Sequence, residues 1–221
     1  MQCLRRSSMR HFVIGDIHGH AQALQSILMH IQPGPADRIT FLGDYIDRGP
    51  DSRRVLDLIL DLSCQVDTLA GNHEALLLAS LEDPDVERHW LQYGGDTTLS
   101  SFGVTEVHGI PDHYIDWIAQ CPFYVETDTA IFIHASLDPE LALDQQSSEQ
   151  LLWCHNRTPL LHCSNKRIYC GHTSNAIPII TPHWVSLDTG IARGGYLSCL
   201  EIGRDILVQA DRFGLRVPAA A

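Results

Sequence analysis

The sequence predicts an α/β protein with a central βαβαβ unit in its first half and a largely β layer in its second half. Up to Leu81, short apolar runs alternate with amphipathic stretches, an order typical of parallel strands joined by right-handed crossovers. From Phe123 onward, short β-rich runs dominate. A chain of 221 residues with 44% hydrophobic content can bury a sizeable core, so we expect a single domain over residues 1–221.

The elements of the first half follow from hydrophobic spacing and from capping residues. Strands are expected at residues 11–14, 39–42 and 66–70. Helices are expected at residues 21–31, 52–62 and 74–81; the second of these is preceded by the cap-type residues Pro50 and Asp51. Residues 84–120 are helical and loop-rich in pattern and are interrupted by Gly94-Gly95, so we expect a cap-like insert over the sheet. The tail, residues 217–221, is expected to be disordered.

Charge and composition exclude several classes of function. The formal net charge of -12 disfavours binding to nucleic acid or to an anionic membrane surface. No apolar run approaches the roughly 20 residues that span a bilayer, and the first residues lack the apolar segment of a secretory signal, so a cytoplasmic location is expected. The 7 cysteines are scattered, without a C-x-x-C pair, which argues against a disulfide framework and a structural zinc site.

Five strand-like runs end in polar side chains that can bind metal ions. In an open α/β sheet, side chains at the carboxyl ends of strands converge on one crevice. Oxygen and imidazole donors favour Mn²⁺, Fe or Zn²⁺, and so many ligands suit two ions about 3.5 to 4 Å apart. Each run alone could be an ordinary glycine turn or a strand-end histidine without a function. The five runs together favour a metal-binding site. The residues are Asp16, His18, Asp44, Asp47, Asn72, His73, His134 and His172.

Three glycine-rich motifs resemble those of a known enzyme family. G-D-x-H-G occupies residues 15–19, G-D-x-x-D-R-G residues 43–49 and G-N-H-E residues 71–74, and D-T-G follows at residues 188–190. These motifs resemble the calcineurin-type metallophosphoesterases, specifically the PPP phosphoprotein phosphatases in their small bacterial and phage form. The resemblance implies a metallophosphoesterase-type β-sandwich of mixed sheets flanked by helices, in αβ-βα layers.

The resemblance also implies a set of metal ligands and a reaction. Asp16 and His18 would hold the first ion, Asp44 would bridge both, and the second would be held by Asn72, His134 and His172. Two divalent ions are implied, with Mn²⁺ expected and Fe or Zn as alternatives. A hydroxide bridging the two ions would attack phosphorus directly, without a phosphoenzyme.

Other residues of these motifs are implied to act on the substrate. His73 would protonate the leaving group, Asp47 would orient His73, and Arg48 would clamp phosphate oxygens. Small relatives carry a second phosphate-binding Arg in an L-W-x-R segment, but here His155 occupies that position and Arg157 follows two residues later. Either Arg157 or His155 could therefore make the second contact, or both could face solvent.

The reading favoured by the sequence is a metal-dependent phosphatase of phosphoserine and phosphothreonine in proteins, with some activity on phosphotyrosine. Its expected partner is a phosphoprotein, and a monomer without a regulatory subunit is expected. The alternative is a symmetrical dinucleoside polyphosphate hydrolase. Such hydrolases tend to have Ala-Arg-Gly in place of Asp47-Arg48-Gly49, and Asp in place of Glu74, so both residues favour the protein phosphatase. A non-catalytic binding module that keeps the fold is disfavoured because the ligands and the acid are all present.

Overall fold

Strands and helices alternate in the first half of the molecule, and strands predominate in the second. The structure, a computed structural model, describes residues 9–217. The strands in this range are β1 (His11–Ile14), β2 (Arg38–Phe41), β3 (Gln65–Thr68), β4 (Tyr124–Glu126), β5 (Ala130–Ile133), β6 (Arg167–Cys170), β7 (Ile179–Ile180), β8 (Trp184–Ser186), β9 (Tyr196–Glu201), β10 (Ile206–Asp211) and β11 (Arg216–Val217). The α-helices are α1 (Ala21–Ile31), α2 (Ser52–Leu60), α3 (Asn72–Ser80), α4 (Pro84–Trp90), α5 (Asp96–Phe102), α6 (Asp112–Ala119) and α7 (Ser148–Trp153).

The strands form two mixed sheets. The larger has six strands in the order β11-β10-β9-β1-β2-β3, and the smaller has five in the order β4-β5-β6-β8-β7. Within the larger sheet, β1, β2 and β3 pair in parallel, and β9 pairs with β1 in the antiparallel direction. The predicted α/β fold with mixed sheets and a central βαβαβ unit is confirmed.

Alternating side chains of β1 show how the layers pack. Phe12 and Ile14 point into a core shared with α1, α2 and α3, whereas Val13 packs between the two sheets against Phe132 and Tyr169. Side chains of successive strand residues point to opposite faces, so a strand with apolar residues on both faces is covered on both sides. The result is a β-sandwich with helices outside it, and the strand ends of both sheets meet at one rim.

Helix α3 begins two residues earlier than the sequence predicts. The Glu74 side chain accepts a hydrogen bond from the backbone N–H of Gly71 at 2.8 Å and so caps the first turn. Because of this cap, Asn72 and His73 belong to the helix, and their side chains project from its first turn beside the strand ends. Strand β3 ends at Thr68, two residues before the predicted end.

Residues 84–120 contribute α4, α5 and α6, and a π-helical turn over Leu91–Gly95 joins the first two. Trp90 is buried in the same core as α1 and α2. That residues 1–221 form one domain with a cap-like insert stays a prediction. Val217 lies in β11, where disorder had been expected, and residues 218–221 lie outside the described range. Among residues 9–217, no helix is long and apolar enough to span a bilayer.

Candidate active site

The loops that follow β1, β2, β5 and β6 meet at the rim of the sandwich and are joined by backbone hydrogen bonds. The N–H of His18 donates to the carbonyl of Asp44 at 2.8 Å, which joins the first two loops. The N–H of Gly171 donates to the carbonyl of His134, also at 2.8 Å, which joins the other two. The side chains expected to converge are therefore brought together by both sheets.

Asp44 lies between two groups of potential ligands. Its Oδ2 is 3.5 Å from His18 Nε2, and its Oδ1 is 3.5 Å from His134 Nε2. One group comprises Asp44, His18 and His73, the other Asp44, His134 and His172, and within each group the ligand atoms lie within 4.8 Å of one another. One carboxylate is therefore positioned to serve two adjacent cation sites.

Three histidines of these groups are oriented by backbone carbonyls. Nδ1 of His18 donates to the carbonyl of Ile46 at 3.0 Å, and Nδ1 of His134 donates to that of Leu42 at 2.8 Å. Nε2 of His172 donates to the carbonyl of Trp153 at 3.2 Å. These bonds fix the tautomers, so the remaining nitrogen of each ring carries a lone pair that faces the site, as in histidines that ligate metals.

The Asn72 amide provides a direct test of whether a cation fits. Its Oδ1 lies 2.9 Å from His134 Nε2 and 3.0 Å from His172 Nδ1. With the ring tautomers above, all three atoms are acceptors, and three converging lone pairs repel one another unless a cation lies between them. The donor set therefore fits a divalent metal ion.

The pKa values of two buried carboxyl groups at the same rim are shifted in opposite directions. Burial, followed by the neighbouring charges of Asp188 and Asp44, raises the pKa of Asp16 well above its usual range. Burial alone would also raise the pKa of Asp44, but His134, His73 and His18 outweigh it, and the pKa of Asp44 is lowered. The D-T-G motif signalled Asp188, although the sequence assigned it no role.

The backbone around these potential ligands is tightly constrained. A Cβ at Gly71 would lie 2.1 Å from Asp44 Oδ1, and a Cβ at Gly171 would lie 2.1 Å from Asp16 Oδ1. Only glycine allows such close approach. Five site residues also have positive φ angles, a conformation rare for residues other than glycine: His18 (47°), Asp44 (53°), Asp47 (70°), Arg48 (67°) and His172 (60°).

His73 and Asp47 form a buried pair beside the ligands. Nδ1 of His73 lies 2.6 Å from Asp47 Oδ2, whereas its Nε2 is buried and has no hydrogen-bond partner among residues 9–217. Asp47 also accepts hydrogen bonds from Trp90 Nε1 at 2.8 Å and from Thr98 Oγ1 at 2.6 Å. Burial alone would lower the pKa of His73, but Asp44 and Asp47 outweigh it and the pKa is raised, which favours the imidazolium.

A cavity of about 240 Å³ opens at the rim that carries Asp44 and His172. Its lining residues can be compared with the predicted substrate contacts. Arg48 lines it, with Nη1 2.9 Å from His18 Nε2. His155 also lines it and stacks on His172 with ring centroids 4.5 Å apart. Arg157 is exposed and is not among the lining residues, whereas Arg193, which the sequence analysis did not single out, is.

The aromatic residues Tyr93 and Trp153 stand at the edge of this cavity. Both are partly exposed, at 44% and 37%. Next to Tyr93, Gly94 has a φ of 112° and its carbonyl accepts a hydrogen bond from the N–H of Arg48 at 3.2 Å. Gly94 thus interrupts the helical path between α4 and α5, and its carbonyl binds the backbone of Arg48 beside the cavity.

Residues 9–176 match the family described as calcineurin-like phosphoesterase. This match covers more than half of the chain. The chain belongs to the calcineurin-like phosphoesterase family. The family implies a dinuclear site for divalent metal ions, and the shared Asp44 agrees with it.

Similar solved structures support the fold of the chain but not a choice of substrate. The crystal structure of a candidate diadenosine tetraphosphatase aligns with a TM-score of 0.74 and 20% identity, covering 98% of this chain and 97% of the other. A protein serine/threonine phosphatase from Saccharomyces cerevisiae aligns with a TM-score of 0.65 and 15% identity, covering 98% and 83%. Such low identity is informative about architecture only.

The curated relatives of this calcineurin-like phosphoesterase share one enzyme name. An Actinobacillus succinogenes protein named "Bis(5'-nucleosyl)-tetraphosphatase, symmetrical" is 30% identical over 137 residues, which is 60% of this chain and 46% of the relative. A Coxiella burnetii protein of the same name is 32% identical over 137 residues, 58% of this chain and 42% of the relative. The chain thus spans less than half the length of these relatives.

These names contradict the predicted phosphoprotein phosphatase and its phosphoprotein partner, and support the alternative. The error arose from Asp47 and Glu74, which were taken to indicate a protein substrate. Asp47 is fully buried against His73, and Glu74 accepts the backbone N–H groups of Asp44 and Tyr45 at 2.8 and 2.9 Å. Both side chains are bound within the protein, so they do not select the substrate. The PPP subtype is likewise not confirmed.

Proposed function

We propose that this calcineurin-like phosphoesterase hydrolyses bis(5′-nucleosyl) tetraphosphates, splitting each one symmetrically into two nucleoside diphosphates. The observation that carries the reaction type is the Asp44 carboxylate shared by two ligand groups beside Arg48. This arrangement suits in-line attack on phosphorus. The substrate class is supported by the relatives named symmetrical tetraphosphatases. The reaction breaks the central P–O–P bond and adds the elements of water across it.

The proposed metal ligands are the side chains that converge at the rim. When bound, two divalent ions would supply an activated water and neutralise charge on the phosphoryl oxygens. Oxygen and imidazole donors fit Mn²⁺, which is the proposed ion, with Fe or Zn as alternatives. The first set is Asp16, His18 and Asp44, and the second is Asp44, Asn72, His134 and His172.

The remaining side chains act on the phosphate and on the leaving group. The planar guanidinium of Arg48 can donate two hydrogen bonds to phosphate oxygens. Asp47 holds Nδ1 of His73 and Nε2 has no partner in the described part of the chain, so the imidazolium can donate a proton from Nε2 to the departing oxygen. Arg193 and His155 are proposed as further phosphate contacts because both line the cavity.

The test compares two substrates with purified protein and added Mn²⁺. We expect diadenosine tetraphosphate to be cleaved to ADP alone, faster than a phosphoserine peptide is dephosphorylated, and we expect a chelator to abolish the reaction. Products are separated by anion-exchange chromatography. Formation of ATP and AMP would contradict symmetrical cleavage, and preference for the peptide would contradict the substrate class.

A further inference from the structure

A second cavity, of about 590 Å³, adjoins the candidate active site. It lies between the start of α1, the loop before α2 and the turn that joins β10 to β11. Its volume falls within the range of about 300 to 1,000 Å³ that is typical of small-molecule sites. The residues of its wall that matter below are His20, Asp51, Ala192, Arg212 and Phe213.

The two cavities are neighbours. Arg48 and Ala192 line both of them, so the guanidinium proposed to bind phosphate stands at the boundary. A molecule whose phosphates contact Arg48 in the first cavity can therefore extend its next group into the second. A dinucleoside polyphosphate has such a shape, because its phosphate chain ends in a nucleoside on each side.

Phe213 gives the second cavity an aromatic surface. Its side chain is 64% exposed, and the guanidinium carbon of Arg212 lies 4.8 Å from the centre of its ring. Exposed aromatic rings supported by arginine are the surfaces on which proteins stack nucleobases. The chain carries a formal charge of -12, yet two arginines and one aspartate line this cavity, a balance that suits a ligand carrying phosphates.

The turn that carries Phe213 is held in place. Asp211 Oδ1 accepts hydrogen bonds from the backbone N–H groups of Phe213 and Leu215, each at 2.9 Å. Gly214 lies against the start of α1, where an added Cβ would be 2.9 Å from the carbonyl oxygen of Gln22. The ring is therefore presented from a fixed backbone, which limits the entropy lost when a ligand stacks on it.

His20 provides a polar group in the same wall. Its side chain lines the cavity, the residue is 9% exposed, and Nε2 has no hydrogen-bond partner among residues 9–217. A buried polar nitrogen without a partner carries an energetic cost, which a ligand would relieve once the ring turns to expose Nε2 to the cavity. A nucleobase offers both donors and acceptors for such a contact.

From these observations we infer that the cavity beside Phe213 binds one nucleoside of the substrate, with the base on the Phe213 ring and the phosphates leading past Arg48 into the active site. This inference rests on the proposed function for the identity of the substrate. It adds a specificity-determining surface, since a phosphate ester without a nucleoside would leave this cavity empty.

The test measures binding, so it does not depend on catalysis. Affinities of the Mn²⁺-loaded protein are determined by calorimetry for α,β-methylene-ADP and for methylenediphosphonate, which lacks the nucleoside. We expect Phe213→Ala to weaken the first ligand about tenfold or more and to leave the second within twofold. Phe213→Trp, which keeps an aromatic face, should retain most of the affinity. Phe123→Ala, which removes another ring that is 43% exposed but does not line this cavity, should change neither ligand.

Other results separate the two proposals. If Phe213→Ala binds α,β-methylene-ADP as tightly as the wild type, or weakens both ligands equally, the nucleoside site is wrong even where diadenosine tetraphosphate is cleaved symmetrically. If the nucleotide binds through Phe213 but diadenosine tetraphosphate is not cleaved, the nucleoside site stands and the proposed function is wrong.

Discussion

The two ring nitrogens of His73 lie in different surroundings. Nδ1 faces the Asp47 carboxylate at 2.6 Å, whereas Nε2 is buried and has no partner in the described part of the chain. The neighbouring carboxylates Asp44 and Asp47 raise the pKa of His73, which favours the imidazolium, and Asp47 fixes the orientation of the ring. These surroundings suit a general acid. The ring also lies close to two potential metal ligands, since the ligand atoms of His73, His18 and Asp44 are within 4.8 Å of one another.

His73→Asn distinguishes an acid from a metal ligand. General acid catalysis contributes about 10² to 10⁴ in rate, and a departing nucleoside diphosphate is a weaker base than an alkoxide or phenoxide. We therefore expect kcat to fall about a hundredfold with diadenosine tetraphosphate and further with phenyl phosphate. Metal content, measured by atomic emission, should be unchanged, and His108→Asn, at an exposed position, should behave as wild type. Loss of bound metal in His73→Asn would identify the ring as a ligand.

At the scale of elements, the helical segment of residues 84–120 contacts the His73–Asp47 pair directly. Trp90 is the last residue of α4 and Thr98 lies in α5, and both donate hydrogen bonds to Asp47. The carboxylate is fully buried, so these donors stabilise its charge and fix its position. The helical segment is thus part of the support of the site and not only a cover over the sheet.

Trp90→Phe tests this support. The change removes one hydrogen bond to a buried carboxylate, which contributes about 1.5 to 3 kcal/mol, and lets Asp47 and His73 shift. We expect kcat to fall about tenfold with little change in KM. Trp117→Phe is the matched control, since Trp117 lies in the same segment and packs on the Tyr45 ring 5.4 Å away without bonding to Asp47. Equal losses of kcat in both variants would argue against a specific role. So would a loss of kcat in Trp90→Phe that is explained by a melting temperature low enough for the variant to unfold in the assay.

At the scale of the whole molecule, one ion pair joins the start of β1, the end of α1 and the start of β2. Arg10 Nη1 and Nη2 donate to the carbonyls of Ile31 and Gln32 at 2.9 and 3.0 Å, and its Nε donates to Asp37 Oδ2 at 3.1 Å. Burial alone would raise the pKa of Asp37. Hydrogen bonds from Arg10 and from the backbone N–H of Gly34 outweigh it and lower the pKa to about 2.

This pair predicts how stability depends on pH. A carboxylate with a lowered pKa stabilises the folded state above its unfolded pKa of about 4, and the contribution is lost as pH falls towards 2. We expect Asp37→Asn to lower the free energy of unfolding by about 2 kcal/mol at pH 7 and to flatten its decline between pH 4 and pH 2. Urea unfolding at several pH values measures both effects. Asp85→Asn, which removes an exposed partner of Arg88, should change stability by less than about 1 kcal/mol. A parallel pH profile for Asp37→Asn and wild type would contradict the prediction.

The sequence predicted the fold and the convergence of the polar side chains at one rim because both have local signals. Glycine followed by Asp, Asn or His at a strand end indicates a turn that carries a side chain, and the alternation of strands and helices brings such turns to one rim. The links from Trp90 and Thr98 to Asp47 span 43 and 51 residues, so no local pattern indicates them. Arg193 lies in a 3-10 turn after Gly190 and lines the cavity, and no motif of the sequence indicates this position.

The substrate could not be predicted from the motifs. Asp47 and Glu74 differ from residues common in tetraphosphatases, but their side chains contact His73 and the backbone around Asp44. Residues that support shared chemistry carry little information about what is bound. The residue proposed to recognise the nucleoside, Phe213, lies outside the motifs.

The positive φ angles of His18, Asp44, Asp47, Arg48 and His172 determine how a mutational scan of this site should be designed. Alanine in the left-handed region costs roughly 1 to 2 kcal/mol, whereas Asn and Asp tolerate it better. An alanine scan would therefore combine lost chemistry with a distorted backbone and would overstate the importance of each side chain. Asparagine at these five positions tolerates the left-handed region better, so the difference in folding stability between the asparagine and alanine variants estimates the contribution of the backbone.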